Sequence, residues 1–125
     1  MQTQTHQNVA VIGASDKPQR YAYKVIEKLL AAGYSVFPVH PKLKIILGLP
    51  VFETIEQIPV PIHTATLYVG SDRSGTLIDG LLSTYPQRVI FNPGAENPTL
   101  ENKLKDAGIQ TMEACTLVLL STHQF

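Results

Sequence analysis

The sequence predicts an α/β fold, a doubly wound sheet of about five mostly parallel strands in a single domain, and three observations carry that expectation. Strand-like apolar runs alternate with helix-like 3.6-residue patterns along the chain, with no internal repeat and no linker. The first run, Asn8-Val-Ala-Val-Ile-Gly13, ends in glycine and leads through a polar stretch into an amphipathic segment, the opening of a βαβ unit with parallel strands. The chain has 125 residues, 44% hydrophobic and 16% charged, enough for one core and too few for a second catalytic domain.

The elements follow in order. Ala22, Val25, Ile26, Leu29 and Leu30 recur at helical spacing, and Gly33 follows as a helix C-terminal signal. Ser35-Val-Phe-Pro-Val-His40 is the second strand; proline belongs on edges or bulges, so a bulge is expected at Pro38. Leu47-Gly-Leu-Pro50 reads as a turn, Glu53–Gln57 as a short helix and Thr64–Gly70 as the third strand. Leu77, Ile78, Leu81, Leu82 and Tyr85 mark a helix, and Arg88-Val-Ile-Phe-Asn92 a fourth strand. Asn97-Pro98 reads as an N-cap with proline at the first helical position, opening a helix through Leu100 and Leu104 to Gly108. Ile109–Cys115 is the fifth strand. Thr116–Leu120 is apolar but too short for periodicity to separate strand from helix. Residues 1–7 and 121–125 are expected to be tails around a core of about 8–120.

Composition narrows the function classes. Cys115 is the one cysteine, which excludes an intramolecular disulfide and a Cys-based zinc site and points to a reducing compartment, the cytoplasm. Met1 to Asn8 has neither the basic start nor the apolar run of a signal peptide. No stretch approaches the ~20 apolar residues of a membrane span. Zero net charge argues against a general nucleic-acid or membrane-surface binder. Yet residues 1–45 hold six bases against two acids, and the remainder four against eight, so positive charge gathers in the N-terminal part. That split fits an anion site there or simply a dipolar solvated surface.

In doubly wound sheets ligands bind outside the carboxyl ends of the strands, where strand order reverses. The loops to weigh are therefore Gly13–Arg20, His40–Lys44, Gly70–Ser74 and Asn92–Glu96. Gly13 allows backbone amides and the next helix's positive end to approach a phosphate, with Ser15 and Asp16 as caps or contacts and Lys17 and Arg20 as cations. The dinucleotide fingerprint G-x-G-x-x-G fails, because Ser15 and Pro18 stand at its second and third glycines. An NAD site would place an acid after the second strand; here that strand ends His40-Pro41-Lys42, and Lys42 with Lys44 suits a phosphate on the ribose instead. Val69, Gly70 and Ser71 stand at a strand end where a backbone can pass close to a flat ring or a thin chain, and Asp72 reads as a helix N-cap. Asn92-Pro-Gly-Ala-Glu96 reads as a type II turn, a wall facing the first loop. His6, His40, His63 and His123 lack metal-ligand spacing, Cys115 reads as a core thiol, and no Ser–His–Asp pattern appears.

The same loops carry a resemblance. Val11-Ile-Gly-Ala-Ser-Asp-Lys-Pro-Gln-Arg-Tyr21, Gly33-Tyr-Ser-Val-Phe-Pro-Val-His-Pro-Lys42, Ile46–Gly48 and Phe91-Asn-Pro-Gly-Ala-Glu96 resemble small stand-alone CoA-binding domains, similar to the N-terminal domain of the succinyl-CoA ligase alpha subunit. The resemblance spans about residues 8–115 and implies a Rossmann-like domain that binds CoA or an acyl-CoA. It implies the pyrophosphate near Gly13, Ala14 and Ser15, with Arg20 pairing with it, and Lys42 near the ribose 3′-phosphate. Val69 and Gly70 would border the adenosine, and Asn92, Pro93 and Gly94 the pantetheine end. The family's second-strand motif often has Asn where this chain has His40. The ligase keeps its catalytic histidine in a second domain that this chain lacks, so ligase activity is not expected.

The reading is a CoA-binding module, non-catalytic alone, with a small-molecule nucleotide as partner and a homodimer compatible with the sequence. Two other readings fit the residues: a small NADP-dependent or thiol-using enzyme drawing on Cys115, and an interaction domain that has lost its nucleotide.

Overall fold

In the computed structural model, which describes residues 7–125, one parallel sheet carries the order β2-β1-β5-β6-β7. β1 is Asn8–Ile12, β2 Ser35–Val39, β5 Thr64–Leu67, β6 Arg88–Phe91 and β7 Gln110–Glu113. The expected fold class is borne out. β1 reads as an unbroken apolar run because the sheet is covered on both faces. Val9 and Val11 enter one core, and Ala10 and Ile12 the other. On the first side α1 (Tyr21–Ala31) presents Val25, Ile26 and Leu29, joined by Leu117 and Leu120 of α5 (Thr116–Ser121). On the second, Ile55 of a 3₁₀ turn (Ile55–Gln57), Leu81 of α3 (Ile78–Thr84) and Leu100 and Leu104 of α4 (Pro98–Asp106) pack together.

Several expectations are corrected. Pro38 makes no bulge: β2 pairs with β1 in continuous register, Val11 opposite Pro38. Residues in an extended strand point N–H and C=O to the same side, and the Pro38 carbonyl faces outward, accepting from Phe52 N at 2.9 Å. The missing N–H therefore falls on the outer edge and costs no bond to β1. The turn at Leu47 joins a two-stranded hairpin, β3 (Ile45–Ile46) and β4 (Leu49–Pro50), with positive φ at Leu47 (52°) and Gly48 (78°). The short helix expected over 53–57 is the 3₁₀ turn at 55–57.

The helix marked by Leu77 to Tyr85 starts earlier and is broken: α2 (Ser71–Ser74), a 3₁₀ turn (Gly75–Leu77), then α3. Leu82 is exposed, and Tyr85 leaves the helix at φ 49°, its hydroxyl donating to Ala107 O at 2.8 Å. β7 stops at Glu113, short of Cys115, and Thr116–Ser121 is helical. The C-terminal stretch is no loose tail, since Phe125 stacks edge-on against Tyr34 at 5.2 Å and lies 4.6 Å under the Arg88 guanidinium. Of the expected N-terminal tail, residues 1–6 lie outside the described residues. Asn97 caps α4 as expected, its side chain accepting from Leu100 N at 3.1 Å. Among the described residues no helix is long and apolar enough to cross a membrane.

Candidate functional site

The carboxyl ends of β1, β2 and β5 open into a cleft of about 980 Å³. Gly13, Ala14, Ser15, Lys17, Arg20, His40, Pro41 and Val69 all line it. Gly13 has φ +84°, and a Cβ there would lie 2.9 Å from Val69 Cγ2 and 3.0 Å from the Tyr68 carbonyl carbon, so only glycine lets the turn cross the end of β5. The amides of Gly13 and Ala14 are both spent on Val39 O at 3.1 Å, closing β1 onto β2. Ser15 Oγ accepts from Lys17 N at 3.1 Å.

The donors left for an anion are the amides of Ser15 and Asp16 in the turn and the first amides of α1. Its N-cap is Arg20, with no side-chain cap and no acid in the first turn. Tyr23 N and Lys24 N bond to Arg20 O, and the amides of Tyr21 and Ala22 find no acceptor among the described residues. Tyr21 and Ala22 line the cleft, so this helix end, with its partial positive charge, opens into it. Lys17 and Arg20 flank it, and Arg73 adds a third cation.

His40 directly follows β2, and its Nδ1 accepts from Lys42 N at 3.0 Å and from Leu43 N at 3.1 Å. An accepting Nδ1 makes the ring the neutral tautomer with its hydrogen on Nε2. Lys42 is exposed and does not line the cleft. Gly70 and Ser71 also stand off the lining; Gly70, not Asp72, occupies the N-cap of α2, and its carbonyl accepts from Arg73 N and Ser74 N.

Asn92, Pro93 and Gly94 form the expected type II turn, with Gly94 at φ 92° and Ala95 N bonded to Asn92 O at 2.8 Å, but they do not line the cleft. The Asn92 side chain is buried and committed. It donates to Thr66 Oγ1 at 2.6 Å and Leu67 O at 2.9 Å, and accepts from Thr116 N at 2.9 Å. Thr66 and Thr116 complete the network through their hydroxyls, 2.8 Å apart.

Other cleft residues were not singled out from sequence: Tyr21, Tyr68, Arg73 and the acids Glu53, Glu56 and Asp79. Period-2 alternation from Thr64 through Thr66 would have put Tyr68 on the α1 face, a signal present in the chain. Burial pushes the Tyr68 phenol up to about 12, with the Thr66 and Thr116 hydroxyls drawing it back and Cys115 adding to the rise. Glu56 and Asp79 stand on the wall formed by the 55–57 turn and α3, with Glu53 just ahead of that turn, and Gly80 lets the turn approach: a Cβ there would meet Glu56 Oε1 at 2.8 Å. Among the described residues no group of three or more His, Cys, Asp or Glu could hold a metal ion.

A sheet that reverses strand order between β1 and β5, with its cleft at that switch point, defines a Rossmann-like domain. The chain belongs to the CoA-binding-domain family, whose sequence profile matches residues 7–121. An uncharacterized protein of Bacillus subtilis, YneT, is 27% identical over 105 residues, covering 84% of this chain and 78% of its own. A crystal structure of an uncharacterized protein, 35% identical, superposes with a TM-score of 0.90 over 96% of this chain and 98% of that one. A dinucleotide-forming acetyl-coenzyme A synthetase of Candidatus Korarchaeum cryptofilum, in complex with phosphate and ADP, shares the fold at 23% identity. Its TM-score is 0.73 over 86% of this chain and 25% of the synthetase.

Proposed function

We propose that this domain binds coenzyme A or an acyl-CoA in the cytoplasm and is non-catalytic on its own. The observation that carries the reading is the uncapped, acid-free start of α1, opening into the cleft between Lys17 and Arg20. A pyrophosphate bound there meets two free amides, a positive helix end and two cations. Gly13, Ala14 and Ser15 shape the turn beneath it. Lys42 reaches the ribose 3′-phosphate from beyond the end of β2, with His40 and Pro41 behind it and Val69, Gly70 and Ser71 bordering the adenosine. Asn92, Pro93 and Gly94 stand towards the pantetheine end. Family membership supports the choice of ligand.

A thermal-shift series with CoA, acetyl-CoA, dephospho-CoA, NAD and NADP tests the reading. Ligand at 100 times its Kd adds about 2.7 kcal/mol, a shift of several degrees for a domain of this size. The expected result is a shift with CoA that shrinks with dephospho-CoA and is absent with NADP. A shift with NADP and none with CoA overturns it.

A further inference from the structure

His40 carries a role that the cleft alone does not explain. Its ring nitrogen Nδ1 takes two backbone amides at once, those of Lys42 at 3.0 Å and Leu43 at 3.1 Å. A side-chain acceptor that gathers the amides two and three residues ahead does the work of an Asx turn, in which an asparagine or aspartate oxygen holds the following turn. Two further bonds anchor the same stretch from behind: His40 N donates to Phe52 O at 3.0 Å, and Phe52 N to Pro38 O at 2.9 Å. The ring thus stands between a strand end bonded to Phe52 and a turn whose next residue, Leu43, packs on the core and whose Lys44 carbonyl accepts from Val51 N. Lys42 is the exposed residue whose backbone that turn holds.

We infer that His40 is a positioning residue, which sets the ligand preference of the cleft by fixing the Lys42 turn through Nδ1 rather than by touching the ligand. The inference rests on the CoA reading above, and it names the device by which that site tells CoA from dephospho-CoA. Asparagine separates the two roles. Its Oδ1 occupies nearly the place of the imidazole Nδ1 and accepts the same two amides, but it has nothing equivalent to Nε2–H, the one donor the neutral ring has left. A residue that works through the turn is replaced by asparagine without loss; a residue that donates to the ligand through Nε2 is not.

The test is calorimetric titration of the intact chain, its Lys42→Ala variant, His40→Ala and His40→Asn, each with CoA and dephospho-CoA. A charge-assisted contact to the 3′-phosphate makes the unaltered protein prefer CoA by about tenfold or more, and Lys42→Ala removes that preference. His40→Ala is expected to collapse the ratio towards that of Lys42→Ala, and His40→Asn to restore it. An undiminished ratio in His40→Ala overturns the inference, as does a His40→Asn ratio as low as that of His40→Ala. Amide hydrogen exchange decides the case in which His40→Ala binds neither ligand. Faster exchange confined to Lys42 and Leu43 supports the role, whereas faster exchange across β1 and β2 overturns it. Failure of the unaltered protein to bind CoA overturns the ligand reading itself, an outcome distinct from a preserved ratio in the variant.

Discussion

A methyl group on Gly13 has nowhere to go, because the turn crosses the end of β5 at van der Waals contact and holds a φ that disfavours any side chain. Gly13→Ala is expected to cost about 2 kcal/mol or more in urea unfolding, from strain and overpacking together, and to weaken the CoA-induced thermal shift. Tyr68 gives a pH signature from the same wall. Its phenol is raised from 10 to about 12, so the folded state holds its proton more tightly than the unfolded chain. The stability tied to that proton is fully present below pH 10 and is lost as pH rises through about 12. Absorbance titration should find a tyrosine ionising at about 12, and Tyr68→Phe should remove that step. Gly13 was legible from sequence as a strand-ending glycine. Tyr68 carries no loop or turn signal, because it continues the period-2 face of Thr64 and Thr66 one residue past the end of β5.

At the scale of elements, the start of α1 gives up local stability that a cap would supply. Arg20→Ser places a hydroxyl at the N-cap and is expected to stabilise the unliganded domain by about 1 kcal/mol while weakening CoA binding. Thermal melts with and without CoA should therefore move in opposite directions, and a variant that melts higher and binds CoA unchanged removes the helix start from the site. α5 is held differently. Its first amide bonds to Asn92, 24 residues earlier, and Thr116 Oγ1 bonds to Thr66, 50 residues earlier. Asn92→Ala strands these buried partners, and unfolding should show a loss of about 2–4 kcal/mol from unsatisfied groups. These contacts explain why Thr116–Leu120 was ambiguous in sequence: five apolar residues carry no period, and their helix is fixed by partners distant in the chain. Asn97-Pro98, whose cap oxygen lies within three residues of its donor, Leu100 N, was legible for the opposite reason.

Across the whole molecule the strand–helix alternation announced the sheet, since β1, β2 and β6 carry the apolar runs Val9–Ile12, Val36–Val39 and Val89–Phe91. What it left out lies at the amino ends of the strands. There His63 Nδ1 shares Thr64 Oγ1 with the Arg88 guanidinium, and Phe125 lies under that guanidinium, a seam between segments far apart in sequence. Burial, and then the Arg88 charge, hold the His63 pKa below its ordinary 6.5. The unfolded chain therefore takes up the proton first; stability is full above pH 6.5 and falls as pH drops below it. Unfolding measured between pH 7 and 5 should show this loss, and His63→Gln should flatten it.

The same global view gives Pro38 a meaning beyond its own strand. A sheet side that offers its backbone to solvent is a template on which another chain can crystallise one strand at a time. Along β2 the nitrogen that would recruit such a strand is missing, and Phe52 takes the Pro38 carbonyl and the His40 amide on either side of the gap. The border of the sheet beside the cleft is thereby blunted against pairing with a further strand.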